Sequence, residues 1–219
     1  MTAPSAGRAL GLSRLHFPIR SLGFGSRIGL WVQGCTLACR GCMSLDTWSP
    51  STAQTPVAEI ADRLEPLLDR ADGLSITGGE PLQQSPALAE LLAMLRPRIA
   101  GDIIVFTGYP IASLPQAAVP MLGLLDTLVA GPFDPARPAV RPLLGSDNQT
   151  LAFLTALGAQ RYAMFAAQAA ERPQIDLVED GDGFWIAGIP RAGDLERLGH
   201  ALNDRSIGLK TSAGRWGKR

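Results

Sequence analysis

The chain has 219 residues, of which 46% are hydrophobic and 18% charged, and its acidic side chains balance its Lys and Arg side chains. This length and composition indicate one ordinary globular domain, or at most two small ones. A net charge of zero provides no overall positive field to attract a nucleic acid or an anionic membrane, and no apolar stretch has the length of a signal peptide or a membrane span. We therefore expect a soluble, cytoplasmic protein that binds neither nucleic acid nor membranes.

The first predicted element, after an N-terminal segment over residues 1–26, is a strand over residues 27–33. This strand leads into a loop that holds all the cysteines of the chain: Cys35, Cys39 and Cys42. An odd number of thiols within eight residues cannot form a disulfide framework. Because their neighbours are glycines and polar residues typical of an exposed loop, the cluster indicates a metal ion or an iron–sulfur cluster rather than three incidental buried thiols.

Two helices are predicted next. Residues 56–70 have apolar side chains at helical spacing, with Thr55 as the expected N-cap and Pro66 as a point where the last turns should kink or stop. Residues 85–96 form the second predicted helix, with Ser85 as its expected N-cap.

Short apolar strands are predicted between and after these helices, over residues 73–77, 102–106, 125–130 and 151–155. Strands that alternate with helices of this length are typical of βαβ units around a parallel sheet. About six units fit in the chain, which is enough for a partial barrel and too few for a closed barrel of eight strands. Residues 176–189 predict a β-hairpin with its turn at residues 179–183.

The predicted organisation ends with a helix over residues 194–202, which should pack on the hairpin, and a polar tail over residues 210–219, which should fray. We divide the chain into the N-terminal segment, a core over residues 27–190, and a C-terminal helix and basic tail over residues 191–219.

The ligand count limits the kind of metal site. Structural zinc requires four protein ligands, whereas catalytic zinc accepts three. The only histidines, His16 and His200, lie far from the cysteine loop in the sequence. A [4Fe–4S] cluster held by three cysteines leaves one iron open to a substrate, and the C-x3-C-x2-C spacing favours this cluster over zinc.

Motifs beyond the cysteines carry a resemblance to a known family. Residues 29–42 and the following 46–48 resemble the cluster loop of the anaerobic ribonucleotide reductase activating proteins, a short branch of the radical S-adenosylmethionine enzymes. Residues 23–27 (GFGSR) resemble the Gly-Pro-Gly-x-Arg motif of that branch. Later segments resemble its further signatures in the same order, at residues 77–81, 106–109, 129–133 and 145–149.

The resemblance implies a fold and an activity. The core would be an α/β partial (βα)6 TIM-like barrel of the radical S-adenosylmethionine type, followed by the C-terminal hairpin and helix. A [4Fe–4S] cluster on the three cysteines would reductively cleave S-adenosylmethionine to a 5′-deoxyadenosyl radical. That radical would abstract hydrogen from a glycine of a glycyl radical enzyme, with electrons from an external donor of the flavodoxin or ferredoxin type. No side chain is expected to act as a catalytic acid, base or nucleophile.

The expected contacts to S-adenosylmethionine lie on two loops, and these residues are Gly41, Cys42, Met43, Gly78, Gly79 and Glu80. In the resembling family, the segment that corresponds to residues 77–81 binds the amino group of the methionine moiety. A pair of glycines allows the backbone to approach a ligand closely. Glu80 could accept a hydrogen bond there or only cap the following turn, and Met43 could contact the adenine or only pack at the rim.

Three polar residues are further candidates for the ribose or the substrate side: Asp126, Ser146 and Asn148. A structural role stays open for each of them, whereas Trp48 and Tyr109 are predicted to be packing residues. Two alternative functions also stay open. One is a radical enzyme that acts on another substrate, such as a small heterocycle, as in 7-carboxy-7-deazaguanine synthase, or a peptide. The other is a non-catalytic iron–sulfur or zinc module.

Overall fold

The computed structural model describes residues 7–168, 175–180, 183–190 and 193–204. The strands are β1 Ala9–Leu10, β2 Leu12–Ile19, β3 Arg27–Val32, β4 Thr55–Pro56, β5 Gly73–Gly78, β6 Asp102–Thr107, β7 Thr127–Ala130, β8 Thr150–Phe153, β9 Ile175–Asp180 and β10 Gly183–Gly188. The α-helices are α1 Val57–Leu68, α2 Ser85–Leu95, α3 Val119–Leu122, α4 Ala156–Ala167 and α5 Asp194–Asn203. The predicted tail at residues 210–219, the centre of the predicted turn at residues 181–182 and the first six residues lie outside the described residues.

The main sheet confirms the predicted α/β class. Its strand order is β2-β3-β5-β6-β7-β8, and the four inner strands are parallel. The edge strands β2 and β8 run antiparallel to their neighbours. The sheet therefore has three parallel crossovers, through α1, α2 and the short α3, and the prediction of six βα units is not confirmed. The reason lies at the edges: a long loop without a helix joins β7 to β8, so the chain re-enters the sheet in the opposite direction.

Helices α1 and α2 cover one face of the sheet because their apolar side chains recur at helical spacing. Ile60 and Leu64 of α1 are fully buried, as are Leu88 and Leu91 of α2. Burying one such side chain contributes about 1.5–3 kcal/mol, so this face supplies much of the folding free energy.

Both predicted N-caps are wrong. Helix α1 begins after Pro56, while Thr55 belongs to β4, which pairs with β1. The helix continues through Pro66 and ends at Leu68. Helix α2 has Gln84 as its N-cap, because a 3-10 turn over Pro81–Gln84 has already brought Ser85 into helical geometry. Within the described part of the chain, the buried Ser85 hydroxyl has no hydrogen-bond partner.

The predicted C-terminal hairpin and helix are confirmed as β9, β10 and α5. The hairpin packs on the face of the sheet that α1 and α2 leave uncovered. Val178 and Ala187 of the hairpin are buried against Ile19, Leu22 and Trp31.

The amino ends of the parallel strands enclose a buried ion pair. The side chains of Arg27 and Asp102 are 0% and 1% exposed, and Arg27 Nη1 lies 2.6 Å from Asp102 Oδ1. The guanidinium also donates to Ser75 Oγ and to the carbonyl oxygens of Phe24, Leu74 and Asp102. These bonds join β3, β5 and β6 at the ends of the strands that lie away from the cysteine loop.

No helix among the described residues has the length and apolar character that a membrane crossing requires.

Candidate functional site

A cavity of about 1750 Å³ lies at the carboxyl ends of the parallel strands. In parallel α/β folds, ligands bind beyond these ends. All the residues that we predicted as cluster ligands or cofactor contacts line this cavity: Cys35, Cys39, Gly41, Cys42, Met43, Gly78, Gly79 and Glu80. The structure thus brings the two predicted loops together, and the roles of these residues as ligands and contacts remain predictions.

The cysteine loop folds back on itself through backbone hydrogen bonds. The Gly34 amide, just after β3, donates to the Thr47 carbonyl at 2.8 Å, and the Cys35 amide donates to the Trp48 carbonyl at 3.0 Å. The Cys42 amide donates to the Cys39 carbonyl at 3.2 Å and closes a tight turn between the last two cysteines. All three thiols are partly buried.

Backbone amides point at the cysteine sulfurs. The Ser44 amide donates to Cys42 Sγ at 3.4 Å, and the Phe133 amide donates to the Cys39 thiol. Burial raises the pKa of the Cys35 and Cys39 thiols above their usual value, and backbone hydrogen bonds oppose that shift. Since a bound cation reverses this balance and stabilises the thiolate, the donor set fits an iron–sulfur cluster held by three cysteines. Among the described residues, no group of three or more His, Cys, Asp and Glu side chains surrounds the position of a single metal ion.

Glu80 joins the carboxyl ends of β5 and β6. Its side chain is buried and accepts three hydrogen bonds, from the Leu82 amide at 2.9 Å, the Thr107 hydroxyl at 2.7 Å and the Gly108 amide at 2.8 Å. Burial raises the pKa of Glu80 above its ordinary value, although the three hydrogen bonds oppose the shift. Glu80 therefore caps the following turn, which was one of the two roles predicted for it.

Gly78 and Gly79, the two glycines before Glu80, allow their segment to approach the backbone at the base of the cysteine loop closely. A Cβ on Gly79 would lie 2.2 Å from the Gly34 carbonyl oxygen, and a Cβ on Gly78 would lie 2.7 Å from the Val32 backbone. Gly78 also has a φ of 101°, a conformation that favours glycine. The base of the cysteine loop thus rests directly on this segment, so a side chain at either position would displace the loop.

The structure does not bring Asp126, Ser146 or Asn148 into the cavity. Asp126 precedes β7 at the amino end of the sheet, and its carboxylate accepts hydrogen bonds from the Ile103 amide and the side chains of Arg96 and Thr155.

The other two residues shape the loop between β7 and β8. The Ser146 hydroxyl accepts a hydrogen bond from the Asp134 amide, and the Asn148 amide group donates to the Pro132 carbonyl. Each of the three residues thus has a structural contact, and within the described residues the buried Oδ1 of Asn148 has no hydrogen-bond partner. Tyr109 packs against the main core, as predicted.

Several lining residues were not predicted. Gln149 lines the cavity and holds the preceding loop, because its side chain accepts from the Gly145 and Ser146 amides and donates to the Gly131 carbonyl. Strand β10 and helix α5 also line the cavity, with Phe184 and Trp185 among the contributing residues. Gln149 lies inside a motif that carried the resemblance, whereas no local sequence signal shows that a distant hairpin reaches the same cavity.

Comparisons with known proteins identify a family of iron–sulfur proteins. A profile of the 4Fe-4S single cluster domain family matches residues 21–152. A Vibrio cholerae protein named anaerobic ribonucleoside-triphosphate reductase-activating protein is 32% identical over 148 residues, covering 62% of this chain and 94% of that protein. The protein of the same name from Enterobacteria phage T4 is 31% identical over 134 residues, covering 59% of this chain and 85% of that protein.

Among solved structures, QueE from Escherichia coli aligns with a TM-score of 0.38 and 17% identity, over 46% of this chain and 53% of that one. An overlap this low supports no inference about this chain.

Proposed function

Since this chain belongs to the 4Fe-4S single cluster domain family, and to the activating branch of the radical S-adenosylmethionine enzymes, we propose that it generates a glycyl radical in a partner of the anaerobic ribonucleotide reductase type. The observation that carries the proposal is the presence of three thiols and the Gly78–Glu80 segment on the wall of one large cavity. The names of the relatives supply the partner class.

The cysteines and their surroundings support the cluster. Cys35, Cys39 and Cys42 would hold three irons and leave the fourth open to S-adenosylmethionine. When bound, the reduced cluster supplies one electron that breaks the S–C5′ bond and gives methionine and a 5′-deoxyadenosyl radical. The amides of Ser44 and Phe133 lie where they can stabilise the sulfur charge, and hydrogen bonds of this kind tune the cluster potential.

The remaining predicted contacts would orient S-adenosylmethionine. Glu80 places a buried carboxylate beside the cysteine loop, where it favours a positively charged ligand group such as the methionine ammonium. Met43 lines the cavity wall and is 37% exposed there, so it would contact the adenine. Gly41 allows a close approach of the loop to Phe133 and Pro135, since a Cβ there would lie 3.2–3.4 Å from their side chains.

The cavity size favours a protein substrate. Sites for small ligands measure about 300–1000 Å³, and this cavity of about 1750 Å³ leaves room for a polypeptide segment beside the cofactors. Transfer of a hydrogen atom from the glycine Cα would give 5′-deoxyadenosine and a glycyl radical. The electron would come from an external donor of the flavodoxin or ferredoxin type, because every cysteine of the chain lies on the one loop.

Anaerobic reconstitution tests the proposal. The wild-type protein, given iron, sulfide, S-adenosylmethionine and dithionite, should form a cluster and release 5′-deoxyadenosine and methionine. Addition of the anaerobic ribonucleotide reductase of the same organism should produce a glycyl radical signal in electron paramagnetic resonance. Cys39→Ala should abolish the cluster and both products, whereas His200→Ala, at an exposed position on α5, should leave them unchanged.

Two results would contradict the proposal at different levels. Uptake of zinc, or a cluster that yields no 5′-deoxyadenosine, would remove the enzyme function. Release of 5′-deoxyadenosine without a glycyl radical in the reductase would leave the radical chemistry and remove the proposed partner.

A further inference from the structure

The C-terminal hairpin and helix lie outside the part of the chain that the family shares. The family match ends at residue 152, whereas β9, β10 and α5 occupy residues 175–203. The alignment with the Vibrio cholerae relative already uses 94% of that protein, so little of it remains to build a counterpart. The hairpin and helix therefore lie outside the matched family domain.

Polar contacts fix the first strand of the hairpin to the sheet. The Asp176 carboxylate accepts hydrogen bonds from the Arg20 amide at 3.0 Å, the Ser21 amide at 2.9 Å and the Ser21 hydroxyl at 2.6 Å. Hydrogen bonds to a charged acceptor are among the stronger ones in proteins, so Asp176 attaches the hairpin just after β2.

Aromatic contacts fix the second strand. The ring of Trp185 meets Trp31 of β3 edge to face with centroids 4.9 Å apart, and it meets His16 of β2 at 5.8 Å. The Arg14 guanidinium lies 5.1 Å from the Trp185 ring. These contacts and those of Asp176 hold β10 in place, so its neighbouring side chains occupy defined positions.

The fixed strand β10 presents an apolar side chain to the cavity that holds the cysteine loop. Phe184 lines this cavity and is 41% exposed, although it directly precedes the anchored Trp185. On the β7–β8 loop, Val140 lines the same cavity and is 85% exposed. Leu177 lies on the hairpin too and is 55% exposed, but it is not part of the cavity wall.

We propose that β10 and α5 form a substrate-selecting wall of the cavity, on which Phe184, together with Val140, binds an extended apolar segment of the partner enzyme next to the target glycine. The inference rests on the proposed function, which requires a polypeptide in this cavity. An apolar side chain on the wall favours apolar partner residues, since contact removes both surfaces from water. The hairpin and helix thus add partner specificity to a cluster site that the family shares.

Titration of the partner tests this inference. Glycyl radical yield is measured by electron paramagnetic resonance against the concentration of reductase for the reconstituted wild-type, Phe184→Asp, Phe184→Leu and Leu177→Asp proteins. Phe184→Asp should raise the half-saturating concentration about tenfold or more, because a charge replaces the exposed aromatic ring that the partner segment would cover. Phe184→Leu should stay within about threefold of the wild type, and Leu177→Asp should match the wild type.

A second variant distinguishes loss of the proposed contact from unfolding of the hairpin. Val140→Asp lies on a different segment at a highly exposed position, and it should raise the half-saturating concentration in the same direction. The inference is overturned if both Asp variants at the wall keep the wild-type value, or if Leu177→Asp shifts it equally. A wild-type protein that releases no 5′-deoxyadenosine would instead remove the proposed function.

Discussion

Replacement of Arg27 by Met should strongly destabilise the protein. The substitution removes five hydrogen bonds and leaves the Asp102 carboxylate buried without its counter-ion. The second carboxylate oxygen, Oδ2, already has no hydrogen-bond partner within the described residues. Breaking a buried ion pair by removing one partner costs about 3–5 kcal/mol. Because domains of this kind are stable by about 5–15 kcal/mol, the loss would be a large part of the free energy of unfolding.

Urea unfolding of the cluster-free protein, followed by far-ultraviolet circular dichroism, measures this loss. Arg98→Met is the matched control, because Arg98 forms an ion pair with Glu65 in which both side chains are 49% exposed. Exposed pairs contribute about 0–1 kcal/mol, so this variant should unfold close to the wild-type urea concentration.

A double variant separates the ion pair from simple loss of packing. Arg27→Met combined with Asp102→Leu leaves no buried charge, and it should regain most of the stability that Arg27→Met alone loses. The reasoning is refuted if the free energies of unfolding of Arg27→Met and Arg98→Met differ by less than about 1 kcal/mol. It is also refuted if adding Asp102→Leu to Arg27→Met lowers the stability as much as Asp102→Leu lowers it in the wild type.

Two further predictions concern the cavity. Gly79→Ala places a Cβ 2.2 Å from the Gly34 carbonyl oxygen, so it should displace the cysteine loop and lower the iron–sulfur absorbance after reconstitution. Gly123→Ala is the control, because the atom nearest to its new Cβ is 3.9 Å away, and it should keep the wild-type absorbance. Equal absorbance of the two variants would contradict this prediction. Burial raises the native pKa of Glu80 above 4.5, so the native state binds the proton more tightly than the unfolded state. The free energy of unfolding should therefore fall as pH rises from 4.5 to the native pKa, and it should level off above that pKa. Urea unfolding at a series of pH values measures this decline, and Glu80→Gln should remove it. Parallel pH profiles of the wild type and Glu80→Gln would contradict the prediction.

The parts of the fold that could be predicted are those with a clear periodicity. Helix α1 and the inner strands have regular apolar patterns, and their observed bounds lie within a few residues of the predicted ones. Strand β2 was missed because Arg14, His16 and Pro18 interrupt its apolar pattern, although its pairing with β3 makes it a strand. Helix α4 was missed because Ala and Gly leave it without a clear apolar stripe, and its position depends on the burial of Phe165 against the sheet.

The candidate site was predictable where backbone geometry alone brings residues together. Parallel strands end at one edge, so the Cys35–Cys42 loop and the Gly78–Glu80 segment had to lie near each other. For Asp126 two roles stayed open, a contact on the ribose or substrate side and a structural one, and its position before β7 at the opposite end of the sheet gives it the structural role. The contribution of Phe184 depends on contacts across more than 150 residues of sequence, such as Ser21 with Asp176, which no local pattern reveals.

The two ends of the sheet each hold a buried charged side chain, and the two side chains differ in whether an opposite charge lies beside them. At the amino ends of the strands, Arg27 faces the opposite charge of Asp102, so its electrostatic cost is compensated within the chain. At the carboxyl ends, Glu80 accepts only from neutral donors, and no salt bridge to it occurs in the part of the chain that the structure describes. A buried carboxylate without a counter-ion gains more from a cationic ligand than a paired one does. The charge of Glu80 beside the cysteine loop, which no cation within the described residues offsets, therefore supports our proposal that this edge of the sheet binds a positively charged cofactor such as S-adenosylmethionine.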